Sequence, residues 1–303
     1  MSGRHAPVVV FAYMREDHLR RSIESLLTNP EASSTDVVFY CDAAKRPQHQ
    51  PQVDAVRAYV DSVSGFRSVS RVHREENMGL ARSIIDGVTK TLERHGRAIV
   101  LEDDLVVSRH FLRYMNEALE LYRDDPRVAS IHGYCYPTRD PLPETFFLAG
   151  ADCWGWATWS RAWATFQQDG ATLLRQLRER NLTRHFDYNG QYPYTRMLED
   201  QVSGRNSSWA VRWHASCFLQ GLLTLYPGRS LVDNIGNDST GTHCGSTDIF
   251  AQALAHADVR PDPLTAVQPS LQAHAAFEQF FRERNPLTAR VRRWLSDIIR
   301  SAA

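Results

Sequence analysis

Glu102, Asp103 and Asp104 stand in a row directly after the apolar run Ile99-Val100-Leu101. Burying even one unpaired ionised carboxylate costs several kcal/mol or forces it to take up a proton, so the three must meet water, basic partners or a cation. Charge runs are commonly no more than solvated loops. At the end of a strand-like run, however, the same triplet suits a divalent-metal site, because ligands bind at the carboxyl ends of strands in open α/β sheets. Tyr13 and Asp42 end two other short apolar runs, so the fold would bring them to the same edge. Asp42 is a candidate for the ribose or base of a nucleotide, and equally for capping a turn. Asn77, Gly79 and Arg82 open a helical stretch where free N–H groups and the helix dipole favour a diphosphate. Neither GxGxxG nor GxxxxGK[ST] occurs there, so neither a dinucleotide fold nor a P-loop is supported.

The elements that must position these residues follow from periodicity. Pro7 to Tyr13, Val37 to Cys41, Val69 to His73, the run before Glu102, and Arg127 to His132 read as short buried strands, the first of them continuous and β-branched. Between them lie helical spacings: Leu19, Ile23, Leu26 and Leu27 after Asp17; Val53, Val56, Val60 and Val63; Leu80, Ile84, Val88 and Leu92; then Phe111, Met115, Ala118, Leu119 and Tyr122. Strand and helix in alternation predict right-handed βαβ units and a mainly parallel sheet flanked by helices.

Beyond Thr145 the character changes. Four of the seven tryptophans fall between Trp154 and Trp163, just after Asp152. Such rings build cores, but Gly155 between two of them suggests close backbone approach, and tryptophan faces make good platforms for sugars, so Trp154 and Trp156 are candidates for either role. Glu199-Asp200 lies between this segment and Trp209 to Trp213. Aromatic neighbours would partly desolvate a base there, which makes Asp200 the preferred general base, with Glu199 and Asp152 in reserve; a solvent-exposed pair capping a helix is the equal alternative. His243 follows a Ser, Thr, Asn and Gly-rich stretch that builds adaptable loops. Residues 276 to 301 regain helical spacing, with arginines beside Trp294, which also fits a helix resting on an anionic membrane surface.

With 35 basic and 35 acidic residues the chain lacks the broad positive field of a nucleic-acid binder. A hydrophobic content of 43 % excludes disorder over most of its 303 residues. Five cysteines without a CxxC pair indicate neither a disulfide framework nor a paired-knuckle zinc site, and fit a reducing, cytoplasmic setting. No run of 18 apolar residues occurs, and the apolar run at Val8 is too short for a signal peptide.

Taken jointly, these stretches resemble the GT-A superfamily of nucleotide-sugar glycosyltransferases over about residues 7 to 245. The resemblance rests on Val8 to Tyr13 with its following helix, on Asn77-Met78-Gly79-Leu80-Ala81, and on Leu101-Glu102-Asp103-Asp104 at the place of the DxD motif. That last stretch is similar to the N-acetylglucosaminyltransferase I group. Trp154 to Trp159 and Asn234 to His243 are similar to stretches of bacterial sugar or surface-polysaccharide transferases. The resemblance implies a Rossmann-like GT-A domain over 1–245, with a donor and metal half (1–132), an acceptor-side half (133–245), and a C-terminal helical extension (246–303). It implies Asp104 as the direct ligand of Mn²⁺ or Mg²⁺, with His243 completing the shell. Asp103 and Glu102 would hold ribose, metal-bound water or a basic neighbour, and Asp42 the nucleoside. Asp152, Trp154, Trp156 and Trp209 would face the acceptor, and Glu199-Asp200 resembles a pair carried on that side by family-2-type enzymes. One departure concerns the base: the N-acetylglucosaminyltransferase I group has Trp-Asp-Asp-Trp where this chain has Trp209-Ala210-Val211-Arg212-Trp213.

The activity implied is metal-dependent, inverting transfer of a hexosyl or N-acetylhexosaminyl group from a nucleoside-diphosphate sugar to a saccharide or lipid-linked saccharide, in surface polysaccharide synthesis. The cytoplasmic face of a membrane would be the place, with peripheral contact through the C-terminal helix. Two rivals stand beside it. One is a non-catalytic nucleotide-sugar-binding module. The other, a sugar-phosphate nucleotidyltransferase, would want a Gly-rich basic loop where Tyr13-Met14-Arg15-Glu16-Asp17 stands.

Overall fold

The computed structural model describes residues 5–238 and 249–284. Its first half alternates as the periodicity predicts: β1 (Val8–Ala12), α1 (Glu16–Leu27), β2 (Asp36–Cys41), α2 (Gln50–Ser62), β3 (Ser68–His73), α3 (Leu80–His95), β4 (Arg97–Glu102), a short β5 (Leu105–Val107), α4 (Phe111–Leu121) and β6 (Val128–His132). The second half contributes β7 (Thr145–Ala149), β8 (Trp156–Trp159), α5 (Ser160–Trp163), α6 (Gly170–Glu179), α7 (Thr183–Phe186), α8 (Tyr194–Val202), α9 (Trp209–Leu219), β9 (Leu223–Pro227), β10 (Val232–Asn234) and α10 (Leu271–Arg284).

Eight strands form one sheet in the order β3-β2-β1-β4-β8-β6-β9-β7. The pairs β1–β2, β2–β3, β1–β4 and β6–β9 are parallel; β8 runs antiparallel between β4 and β6, and β7 antiparallel beside β9. All five residues of β1 are buried, as expected of a continuous apolar strand covered on both faces. Helix α3 buries Ala81, Ile84, Val88 and Leu92, and stops at Gly96, whose left-handed conformation lets its N–H reach the Leu92 carbonyl. A separate antiparallel ladder joins β5 to β10, setting Leu105 opposite Asn234.

The tryptophan-rich segment resolves into structure that periodicity did not separate. Residues 156–159 are a strand, and Trp156 is fully buried, stacked 5.4 Å from Trp209 with Trp163 at 5.8 Å and Trp213 at 6.0 Å. Trp156 and Trp209 are therefore core, not an acceptor wall: a helix apolar on every side, such as α9, has to be buried, and these rings are what it packs against. Apolar residues continue to Leu223, which by spacing alone would extend α9. The helix stops at Leu219, Gly221 turns the chain at φ +68°, and Leu223 begins β9.

Residues 249–284 return across the sheet. Ser108 Oγ donates to the Ala255 carbonyl at 2.7 Å, Ser270 N to the Phe147 carbonyl at 2.8 Å, and α10 buries Ala273, Phe277, Phe280 and Phe281. The arginines and Trp294 of the expected membrane helix lie outside the described residues. Among the described residues no helix is long and apolar enough to cross a membrane.

Replacing Trp156 by alanine removes the centre of the four-ring cluster. It should cost about 3–5 kcal/mol of stability, read as a lower urea midpoint. A loss under about 1 kcal/mol would return this ring to the substrate wall.

Candidate functional site

The acidic turn is pinned from two sides. Glu102 ends β4 opposite Phe11 of β1, and the chain then turns through Asp103 and Asp104 into β5. Ser22 of α1 donates to the Asp103 carbonyl at 2.9 Å, and Ile235 N donates to the Asp104 carbonyl at 2.9 Å. Arg15, at the N-terminal end of α1, donates through Nη2 to Asp103 Oδ1 and, at 2.7 Å, to Asp104 Oδ2. Burial pushes the Glu102 and Asp103 carboxyls up from their ordinary range, and the adjacent acids add to this while Arg15 opposes it. Burial also works against the Arg15 charge, but Asp103 and Asp104 outweigh it and hold the guanidinium protonated. One guanidinium thus faces three acids. Its Nη1 is buried and, among the described residues, has no acceptor.

Gly236 closes this corner. Its N–H donates to Asn234 Oδ1 at 2.9 Å, and a Cβ at this position would collide with Asp104 Oδ2. Glycine is required here for close approach to the carboxylate.

At the neighbouring strand end, Asp42 is buried and fully engaged. Met78 N donates to its Oδ1 and Gly79 N to its Oδ2, both at 2.8 Å, and Asn77 Nδ2 reaches the same carboxylate at 3.1 Å. The anion seated at the start of α3 is therefore Asp42 itself. This corrects two expectations: the Asn77–Gly79 donors hold a protein carboxylate instead of a diphosphate, and Asp42 clasps a loop instead of standing free for a nucleoside. Arg82 lies exposed one turn into α3. The Tyr13 hydroxyl accepts from Lys45 N at 3.0 Å and meets His49 Nδ1 at 2.8 Å.

Asp152 belongs to a third group. Tyr226 and Tyr136 donate to its Oδ2 at 3.0 and 3.4 Å, and Tyr194 donates to Oδ1 at 3.1 Å. Two residues on, Trp154 is half-buried with its ring edge-to-face on Tyr134 at 4.8 Å, and its N–H donates to His132 Nε2 at 3.1 Å. Burial pulls the His132 imidazole down to about 4, although Asp152 and the Tyr134 backbone pull the other way. His214, under the bend at Gly150 and Ala151, is lowered by burial too. Both rings are accordingly neutral at pH 7.

Asp200 does not have the setting expected of a base. Arg205 Nε binds its Oδ1 at 2.7 Å, Arg196 Nε lies 3.5 Å away, and Glu199 beside it pairs with Arg178 at 2.7 Å. These ion pairs are solvent-accessible on α8, because the apolar face of that helix turns Tyr194 and Leu198 inward and the acids outward. His243 lies outside the described residues. Two features escaped the sequence reading: Arg15, whose partners are 88 and 89 positions away, and the tyrosines around Asp152. An arginine just beyond the first strand, facing an acidic turn on the adjacent parallel strand, was the available signal.

No family model matches the chain, and no curated protein matches it. Among solved structures it is similar to residues 1–349 of S. aureus TarS in complex with UDP-GlcNAc, at 14% identity and a TM-score of 0.31 over 46% of this chain and 37% of that one. It is similar to GalNAc-T7 with UDP, GalNAc and Mn²⁺ at 12% identity and a TM-score of 0.40, over 55% and 37%. The chain covers about two fifths of each, so the functional reading rests on its own residues.

Two outcomes follow from this geometry. Gly236→Ala should force the Asp104 carboxylate away from Arg15 and lower the urea midpoint; an unchanged midpoint would show that the corner does not need a glycine. His132, neutral in the native state, gains a proton on unfolding below its ordinary 6.5. Its contribution is therefore full above that value and is lost as pH falls toward about 4, amounting to about 3 kcal/mol. Denaturant midpoints between pH 7 and 4 should flatten in His132→Gln relative to wild type.

Proposed function

We propose that this chain transfers a sugar from a nucleoside-diphosphate sugar to a hydroxyl acceptor at the carboxyl edge of its sheet. One observation carries the reading: the turn Glu102-Asp103-Asp104 sits at the end of a central strand, held by a glycine-packed segment, with one guanidinium against three acids among the described residues. That charge imbalance fits a divalent cation. Among the described residues no three side chains form a metal cage, and Mg²⁺-like ions at such sites take one or two carboxylates and complete their shell with substrate phosphates. Asp104, with Asp103 behind it, would hold Mn²⁺ or Mg²⁺, which when bound supplies positive charge for the departing diphosphate.

The chain's own residues do the rest. Arg15 keeps Asp103 and Asp104 oriented toward the edge. Asp42 fixes the Asn77–Gly79 loop, and Arg82 and Tyr13 border the donor side. Trp154 offers a half-exposed ring on the acceptor side. A hexosyl or N-acetylhexosaminyl donor, a saccharide or lipid-linked acceptor, inversion, and a role in surface polysaccharide synthesis at the cytoplasmic membrane face are the finer parts of the same proposal.

A nucleotidyltransferase is disfavoured because the loop after β1 has no glycines and its arginine is bound to the acidic turn. A binding-only module would bind donor without turning it over.

Thermal melts against a panel of nucleotide sugars should show Mn²⁺-dependent stabilisation, about 2.7 kcal/mol at a hundredfold excess over Kd. Asp104→Asn should abolish that shift with the metal-free melting temperature near normal. Equal shifts in wild type and variant would remove Asp104 from the metal, and no shift with any nucleotide would remove the donor.

A further inference from the structure

Asp152 is a carboxylate with three phenolic donors and, among the described residues, no basic side chain in hydrogen-bond contact. An ionised carboxylate has about four lone-pair sites. Tyr136 and Tyr226 fill those on Oδ2, and Tyr194 fills one on Oδ1. One acceptor site on Oδ1 is left, on a residue that is partly exposed while the tyrosines holding it are buried. Such a carboxylate is fixed in direction and, among the described residues, open to a single further hydrogen-bond donor.

Its place in the fold matters as much. Asp152 precedes β8, whose first residue Trp156 pairs with Val100 of β4 and with His132 of β6. The segment 152–155 therefore reaches the sheet edge where the acidic turn lies, two strand spacings or roughly 10 Å from β4 to β6. Gly155 is packed against Val232 of β10, the same strand that leads to Gly236.

We infer that Asp152, rather than Asp200, is the general base that takes the acceptor hydroxyl proton, an inference that rests on the sugar-transfer reading above. The acceptor O–H donates to the open site on Oδ1 and its proton passes to that oxygen. The electron pair freed on the acceptor oxygen forms the bond to the anomeric carbon. The bond from that carbon to the diphosphate oxygen breaks, and the diphosphate leaves with its electron pair. The tyrosine hydroxyls keep the carboxylate aimed, and Trp154 stands beside it for the acceptor ring. Titratable groups facing Asp152 are His132 from β6, His214 from α9, Tyr134, Tyr136, Tyr188, Tyr194 from α8 and Tyr226 from β9.

The test uses the full chain with the donor and acceptor on which wild type turns over. Asp152→Asn should lower kcat by about 100-fold or more, leaving the donor-induced thermal shift intact, because only an interaction used in the transition state is lost. Tyr194→Phe keeps the ring and removes one donor to the ionised carboxylate, so it should move the acid limb of the kcat–pH profile to higher pH. This second variant decides the matter should Asp152→Asn fail to fold. A kcat for Asp152→Asn within threefold of wild type, or an acid limb unmoved in Tyr194→Phe, would place the base elsewhere and leave sugar transfer standing. A wild type that binds donor but turns over none across an acceptor panel would take both readings down together.

Discussion

Three adjacent carboxylates at the end of a buried strand, opposed among the described residues by a single guanidinium, are the constraint on which the rest of the molecule turns. The cost of gathering them is visible in the raised Glu102 and Asp103 carboxyls. Everything around the turn works to keep it from relaxing outward: Ser22 on one carbonyl, the β5–β10 ladder on the other side, and a glycine where any side chain would push Asp104 away. Burying this charge cluster costs stability that an apolar turn of the same shape would not lose.

Much of this was legible before the structure. The strands β1, β2 and β4 announce themselves by continuous β-branched and apolar residues, and the acidic turn by the impossibility of burying it unpaired. The reading failed where the answer depended on distant partners. Asp42 could be a ligand or a clasp from its own neighbours in sequence; Met78 and Gly79, 36 and 37 residues on, decide for the clasp. Asp200 and Glu199 looked like an acceptor-side pair because adjacency in sequence says nothing about which way a helix face turns. Asp152 is only a reserve by sequence, for the tyrosines that single it out come from three separate stretches of chain. Trp156 shows the same limit from the apolar side: a tryptophan beside a glycine reads equally as platform or core until the neighbouring rings are placed.

The two polar centres are built by opposite means. The acidic turn is held by charge and by backbone donors, in a corner where a guanidinium supplies the counter-charge. The Asp152 centre uses phenols and buried, neutral imidazoles, with no counter-ion on the carboxylate among the described residues. A sugar-transferring site needs this division, because the leaving diphosphate calls for positive charge and the acceptor hydroxyl for an unneutralised negative one.

The antiparallel strand β8 has a consequence for how the chain can be assembled. One edge of β4 is paired with β1, and its other edge is completed only by β8, more than fifty residues later in the chain. Until Trp156–Trp159 arrives, β4 presents a row of unpaired backbone groups, and β6 has neither of its partners, since β8 and β9 both come from the second half. Residues 5–132 therefore cannot be cut away as an autonomous unit without leaving a sticky apolar edge of the kind that drives aggregation. During synthesis the growing polypeptide carries that edge open for the whole interval, so exposure to a chaperone, or to another nascent copy, is written into the strand order itself.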